Sequence, residues 1–162
     1  MSSRAELHVD IRGKARRAVG AATVKSVRRL VARAMRAAGV AGRAMTLSLS
    51  DDAELLALNR QYAGEDHATD VLSFEQAAPL LGDVIISVET ARRQAAAAGH
   101  SLGAELVHLA VHGMVHLMGF DHASAAEERV MFGYEAKLRA AARAVGAAQR
   151  VKAPTRRRRR RA

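Results

Sequence analysis

Apolar and polar positions change period several times along the chain. Over 6–12, Leu7, Val9 and Ile11 alternate with polar residues, which predicts a first strand. Over 14–38 the period becomes helical: Val24, Val27, Leu30, Val31 and Met35 form one stripe, and Gly39 supplies a stop. Alternation returns over 45–49, predicting a second strand. Asp51 then offers an N-cap with Glu54 three residues on, opening a short helix that ends near Tyr62. The polar stretch 63–69 reads as a loop, 71–74 as a short strand, and 82–87, with Val84, Ile85 and Ile86 adjacent, as a buried strand. Helices occupy the remainder: one over 88–98 before Gly99, one from after Ser101 to about Met118, and one from Ser124, boxed by Glu127, to roughly Val145. Strands come early and helices dominate later. The expectation is an α+β domain, a small and mostly mixed four-stranded sheet packed by about five helices.

Composition narrows the class. No Trp and few Phe or Tyr occur, so Ala, Val and Leu must build the core. The absence of Cys rules out disulfide-linked partners and thiolate metal sites, leaving His and carboxylates as the available ligands. No apolar run approaches the roughly 20 residues that span a bilayer, and the N-terminus lacks the apolar stretch of a secretory signal. A cytoplasmic protein without membrane partners is expected. The formal charge of +10 is unevenly placed: residues 150–162 hold eight of the 26 basic residues and no acid, against 18 bases and 16 acids in the rest. The expected organisation is a single domain over 1–149 and a disordered Arg-rich tail over 150–162, the tail being either a non-specific phosphate grip or an appendage without defined role.

Five of the seven histidines lie between positions 100 and 122. His108, His112 and His116 come at i, i+4 spacing, which places neighbours on one helix face about 6 Å apart along the axis. Two such imidazoles can converge on one zinc ion at about 2.0–2.1 Å from each nitrogen. Gly119 ends the helix and lets the chain return, so His122 can supply the third ligand. His108 and His116 lie about 12 Å apart along the axis, and His108 is therefore assigned to packing or to support behind the ligands. Three histidines without Cys suit one catalytic zinc per chain with water in the fourth position. The pair on one helix parallels the H-E-x-x-H ligation of zincins, but Gly113 stands where the proteolytic Glu would be. Asp121, beside His122, can orient an imidazole, accept a proton or cap the turn; Asp70 can line the cleft or cap the turn into Val71. These two are the candidate catalytic residues, and Thr69 and Ser73 read as structural.

The run HGMVHLMGFDH, His112 to His122, resembles the H-G-x-L-H-L-x-G-[YF]-D-H signature of the YbeY family of bacterial endoribonucleases. Leu58-Asn59 and Tyr62 with Thr69 to Phe74 match a second block of that family, and Leu81 to Val84 a third. The resemblance implies that His112, His116 and His122 bind zinc, with the histidine helix central in the fold. It further implies a metal-dependent endoribonuclease acting on single-stranded RNA in ribosomal RNA maturation, at the small-subunit 3′ end, and in ribosome quality control. The chain departs from the family's usual Arg after Tyr62, where it has Ala63, and from its usual Pro residues at Ala68 and Glu75. Losing that Arg removes a partner for phosphate, and Arg60, one helical turn earlier, is the expected substitute. Two other classes stay open: a zinc hydrolase of a non-RNA substrate, and a ribosome-assembly factor that binds RNA and holds a mainly structural zinc. With so few aromatics, RNA contact is expected through Arg and the backbone rather than through stacking.

Overall fold

The computed structural model describes residues 5–67 and 69–155. Position 68, to which the expectation about a lost Pro applies, and positions 156–162 of the tail expected over 150–162 lie outside the described residues; in the described part of that tail the Val151 N–H donates to the Ala37 carbonyl at 2.8 Å and its side chain packs on the core. In chain order the elements are β1 (Leu7–Ile11), α1 (Ala15–Ala18), α2 (Ala21–Ala38), β2 (Ala44–Ser50), α3 (Asp52–Ala63), β3 (Val71–Glu75), β4 (Leu80–Ser87), α4 (Val88–Ala98), α5 (Leu102–Leu117) and α6 (Ala125–Arg143). The expected α+β architecture is present. The helix expected over 14–38 is two helices, because Val19 leaves helical geometry at φ −121°, ψ 121° and Gly20 caps the next segment in an extended conformation.

The sheet order is β1-β2-β4-β3. β1 pairs parallel with β2 and β2 parallel with β4, while β3 runs antiparallel to β4 at the edge. Central strands covered on both faces need continuous apolar runs, and β2 and β4 bury Met45, Leu47, Leu49, Val84 and Ile86 almost completely. The half-buried residues of β3 suit an edge, and that edge borders a wide cleft.

Helix α5 is the pivot. Its side chains are apolar nearly all round, the mark of a buried helix, and ten of its 16 residues are buried, Leu106, Ala110, Val111, Met114 and Val115 completely so. It packs against α2, α4 and α6 and against β3 and β4. One residue allows that last approach. A Cβ on Gly113 would lie 2.6 Å from Val84 Cγ1 and 3.0 Å from Ser73 Oγ, so only glycine lets the helix backbone settle onto the sheet. The Ser73 hydroxyl donates to the Gly113 carbonyl across the same contact, at 3.3 Å. Among the described residues no helix is long and apolar enough to cross a membrane.

Candidate metal centre

Ser101 caps α5 by accepting the Ala104 N–H at 3.1 Å, and the helix then runs unbroken through three histidines. At its end the Gly119 N–H donates to the His116 carbonyl at 2.9 Å and the Phe120 N–H to that of Val115 at 3.3 Å. Gly119 has φ 95°, a value that side chains rarely adopt, and it reverses the chain. Phe120 then drops into the core against Tyr134, with ring centroids 5.4 Å apart. That plug holds the turn and carries His122 back over the helix face.

The three imidazoles meet there. His112, His116 and His122 each offer one nitrogen, and these nitrogens all lie within 4.8 Å of one another. His112 Nε2 and His116 Nε2 are 3.2 Å apart, close to the roughly 3.3 Å that two ligands at about 2.0–2.1 Å subtend in tetrahedral coordination. His108 lies outside this group, as the helical rise requires. Burial, reinforced by the nearby Arg139, pushes its pKa below the ordinary histidine value.

Hydrogen bonds on the far side of two rings decide their chemistry. His116 Nδ1 is 2.9 Å from the Phe120 carbonyl oxygen. A carbonyl only accepts, so Nδ1 carries the proton and Nε2 presents a lone pair. His112 Nδ1 is 2.7 Å from Glu135 Oε1, and the carboxylate imposes the same tautomer. Burial first, and the charge of His112 next, lower the pKa of His116, favouring the neutral form that a metal needs. Two lone pairs 3.2 Å apart repel unless a cation lies between them. The donor set therefore fits a divalent metal ion with nitrogen preference.

Glu135 was not picked out from the sequence, although a signal was present. Helix α6 buries Met131, Tyr134, Leu138 and Ala142, and Glu135 falls within that apolar stripe at 1% exposure. A carboxylate at such a position is rarely there without a partner. The Phe120 carbonyl left no sequence signal, since any residue supplies one.

The metal group opens into a cleft of about 1430 Å³ walled by β3, the end of α5, the turn after it and the start of α6. Both candidate catalytic carboxylates line it. Asp121 Oδ1 accepts the His122 N–H at 2.8 Å, stiffening the backbone at that histidine. Asp70 Oδ2 accepts from Gln94 Nε2 at 3.1 Å, and its main-chain carbonyl accepts the Ser87 N–H at 2.9 Å. Thr69 and Ser73 line the same wall. The substitution expected of Arg60 is not found: its guanidinium is engaged by Asp66, and neither Arg60 nor Ala63 lines the cleft.

Comparison with known proteins gives the site its context. The family profile described as Endoribonuclease YbeY matches residues 10–143. A protein named Endoribonuclease YbeY from Moorella thermoacetica is 49% identical over 123 residues, covering 67% of this chain and 79% of the relative. Its namesake from Geobacillus kaustophilus is 39% identical over 141 residues, covering 78% and 90%. The solution structure of a Thermotoga maritima protein matches with a TM-score of 0.55 and 21% identity over 82% of this chain and 86% of that one, a likeness of fold.

Proposed function

This chain belongs to the YbeY family of endoribonucleases, and from that membership we propose that it is a zinc-dependent endoribonuclease. Its substrate is single-stranded RNA in ribosomal RNA maturation, at the small-subunit 3′ end, and in ribosome quality control in the cytoplasm. The unit responsible is one metallohydrolase domain over 1–149. One observation carries the reading: two imidazoles with fixed Nε2 lone pairs, and a third returned by the Gly119 turn, share one point at the floor of an open cleft.

His112, His116 and His122 would hold the ion, and three protein ligands leave a position open, as catalytic sites do. When bound, zinc supplies Lewis acidity, bringing the pKa of water to about 7 and drawing charge from a phosphoryl oxygen. The chain's own groups do the rest. Glu135 and the Phe120 carbonyl fix the ring tautomers and aim both nitrogens into the cleft. Asp121 stands next to His122 on the cleft wall, where its carboxylate takes up the proton that hydrolysis releases. Asp70 faces the cleft from the start of β3 and orients the incoming nucleophile. Peptide hydrolysis by a zincin route is disfavoured sterically as well as chemically, because no side chain fits at Gly113.

The test replaces His116 with Ala and measures zinc content together with cleavage of a small-subunit ribosomal RNA precursor. Both stoichiometric zinc and cleavage are expected to vanish. Cleavage that survives in metal-free buffer overturns the proposal.

A further inference from the structure

Charge is divided unevenly between the two parts of the domain. Residues 11–50 contain ten Lys or Arg and no acid, whereas residues 51–149 contain seven bases and fourteen acids. The metal cleft belongs to the second part. Asp70, Glu75, Asp121 and Glu127 line it, and no Lys or Arg does among the described residues. Even a divalent cation on the three histidines leaves that wall net negative, so attraction of a polyanion has to come from elsewhere on the surface.

Helix α2 gathers positive charge on one face. Val27, Val31, Ala34 and Met35 are buried in the core. Lys25, Arg28 and Arg29 stand exposed at the i, i+3 and i+4 spacing of a single stripe, and Arg36 is half-exposed two turns beyond Arg29. Arg16 and Arg17 of α1, both exposed, precede the start of the helix. Other bases of the acid-free stretch are committed to the fold. Arg12 pairs with Asp10 and Glu54, Arg33 donates to the Ala142 and Ala144 carbonyls, and Arg43 donates to that of Leu80. Lys25, Arg28 and Arg29 make no ion pair among the described residues. Like charges three and four residues apart repel. No acid stands in the first turn of α2 and Gly20 gives it no side-chain cap, so the charges around its start oppose the helix dipole. The stripe therefore costs the fold stability, and an anionic partner would relieve that cost.

We propose that the exposed face of α2, centred on Lys25, Arg28 and Arg29, docks on the phosphate backbone of a duplex segment of RNA, outside the metal cleft. This rests on the endoribonuclease reading for the identity of the polyanion. Guanidinium groups grip phosphates in two-pronged fashion. A rigid helix holds them at fixed spacing, about 16 Å from Lys25 to Arg36, which suits the fixed phosphates of a duplex. The apolar side of α2 is used up by the core, so the helix has no face left to insert into lipid. No residue of α1 or α2 lines the cleft. The chain thus divides the work: a basic helix holds paired RNA while the acidic cleft receives a single strand.

The experiment measures binding of a fluorescent RNA duplex of ~20 base pairs by the full chain across a salt series. One variant carries Lys25→Gln, Arg28→Gln and Arg29→Gln, and glutamine keeps helix propensity. A second, with Arg129→Gln, Lys137→Gln and Arg143→Gln, removes the same charge from exposed positions of α6. The α2 variant should bind at least about tenfold more weakly at moderate salt, and its log–log salt slope should fall by roughly 2 to 3, near 0.9 per phosphate neutralised on a duplex. The α6 variant should stay within about threefold of the parent. Acetylation of lysines, read by mass spectrometry, should show Lys25 protected by the duplex and Lys137 unprotected. Equal losses in the two variants would mean that net charge alone binds RNA, and they overturn the proposal. An unchanged salt slope in the α2 variant, or a Lys25 that stays reactive under saturating duplex, overturns it too. So does an α2 variant that loses binding to phosphatidylserine vesicles or polyglutamate and keeps the duplex, since the face then serves a membrane or an acidic protein. No readout requires hydrolysis. A chain that binds duplex as described but cleaves no single-stranded RNA refutes the endoribonuclease reading and leaves the docking face in place.

Discussion

At the scale of single residues, the centre is governed by where protons sit on imidazole rings. The Phe120 carbonyl can only accept, so it fixes His116 without any charge. Glu135 fixes His112 and adds a negative charge that makes the ring a stronger donor to metal. The Glu135→Gln change preserves size, removes that charge and lets the amide present its N–H to the ring instead. Outer partners of this kind are typically worth about 10–100-fold in metal affinity. Zinc affinity, measured by competition with a chelator, should therefore fall about tenfold or more, with the metal-free unfolding midpoint changed much less. An unchanged affinity would show that Glu135 only fills space.

At the scale of elements, the close approach of α5 to the sheet sets where the histidines stand. Helix propensity alone favours Ala over Gly by about 1 kcal/mol, so Gly113→Ala would stabilise an isolated helix. In the protein the new Cβ would sit 2.6 Å from Val84 Cγ1 and 3.0 Å from Cγ2, and a β-branched side chain has little freedom to yield. Overpacking of this kind costs about 1–3 kcal/mol and should outweigh the propensity gain, giving a net loss of about 1 kcal/mol by urea denaturation. Combining Gly113→Ala with Val84→Ala should recover part of that loss, and additivity of the two changes would contradict the contact. The elements themselves were legible in the sequence because each carries a local signal: alternation in β1 and β2, Ser101 and Ser124 as caps, and Gly39, Gly99 and Gly119 as stops. The interruption at Val19 was marked only by Gly20, a poor helix residue, and the helical period of the apolar positions beyond it masked that signal. The clustering of the three histidines was legible from helical spacing and the Gly119 stop, whereas Glu135 comes from the next helix, 23 residues beyond His112, and joins them only through tertiary contact. Strand order is equally non-local, because the apolar run of β4 marks it as a central strand but does not say which strands flank it.

At the scale of the whole molecule, the candidate metal site draws together the end of α5, the turn after it and α6. α5 would supply two ligands, the Gly119 turn the third, and α6 the carboxylate behind the first. An ion that binds this arrangement and not the unfolded chain stabilises the fold by mass action, about 2.7 kcal/mol when the free ion stands at about 100 times its dissociation constant. For a domain of this size each kcal/mol moves the unfolding midpoint by roughly 2–4 °C. Zinc added to chelator-stripped protein should thus raise the midpoint by roughly 5–10 °C. The His116→Ala protein should show almost none of that rise. Its own metal-free midpoint should lie near that of the parent, since the substitution also removes the repulsion between two facing lone pairs 3.2 Å apart. That compensation separates a metal site from a structural histidine cluster: in the second case the alanine variant loses stability with or without zinc, and the parent gains nothing when the ion is added.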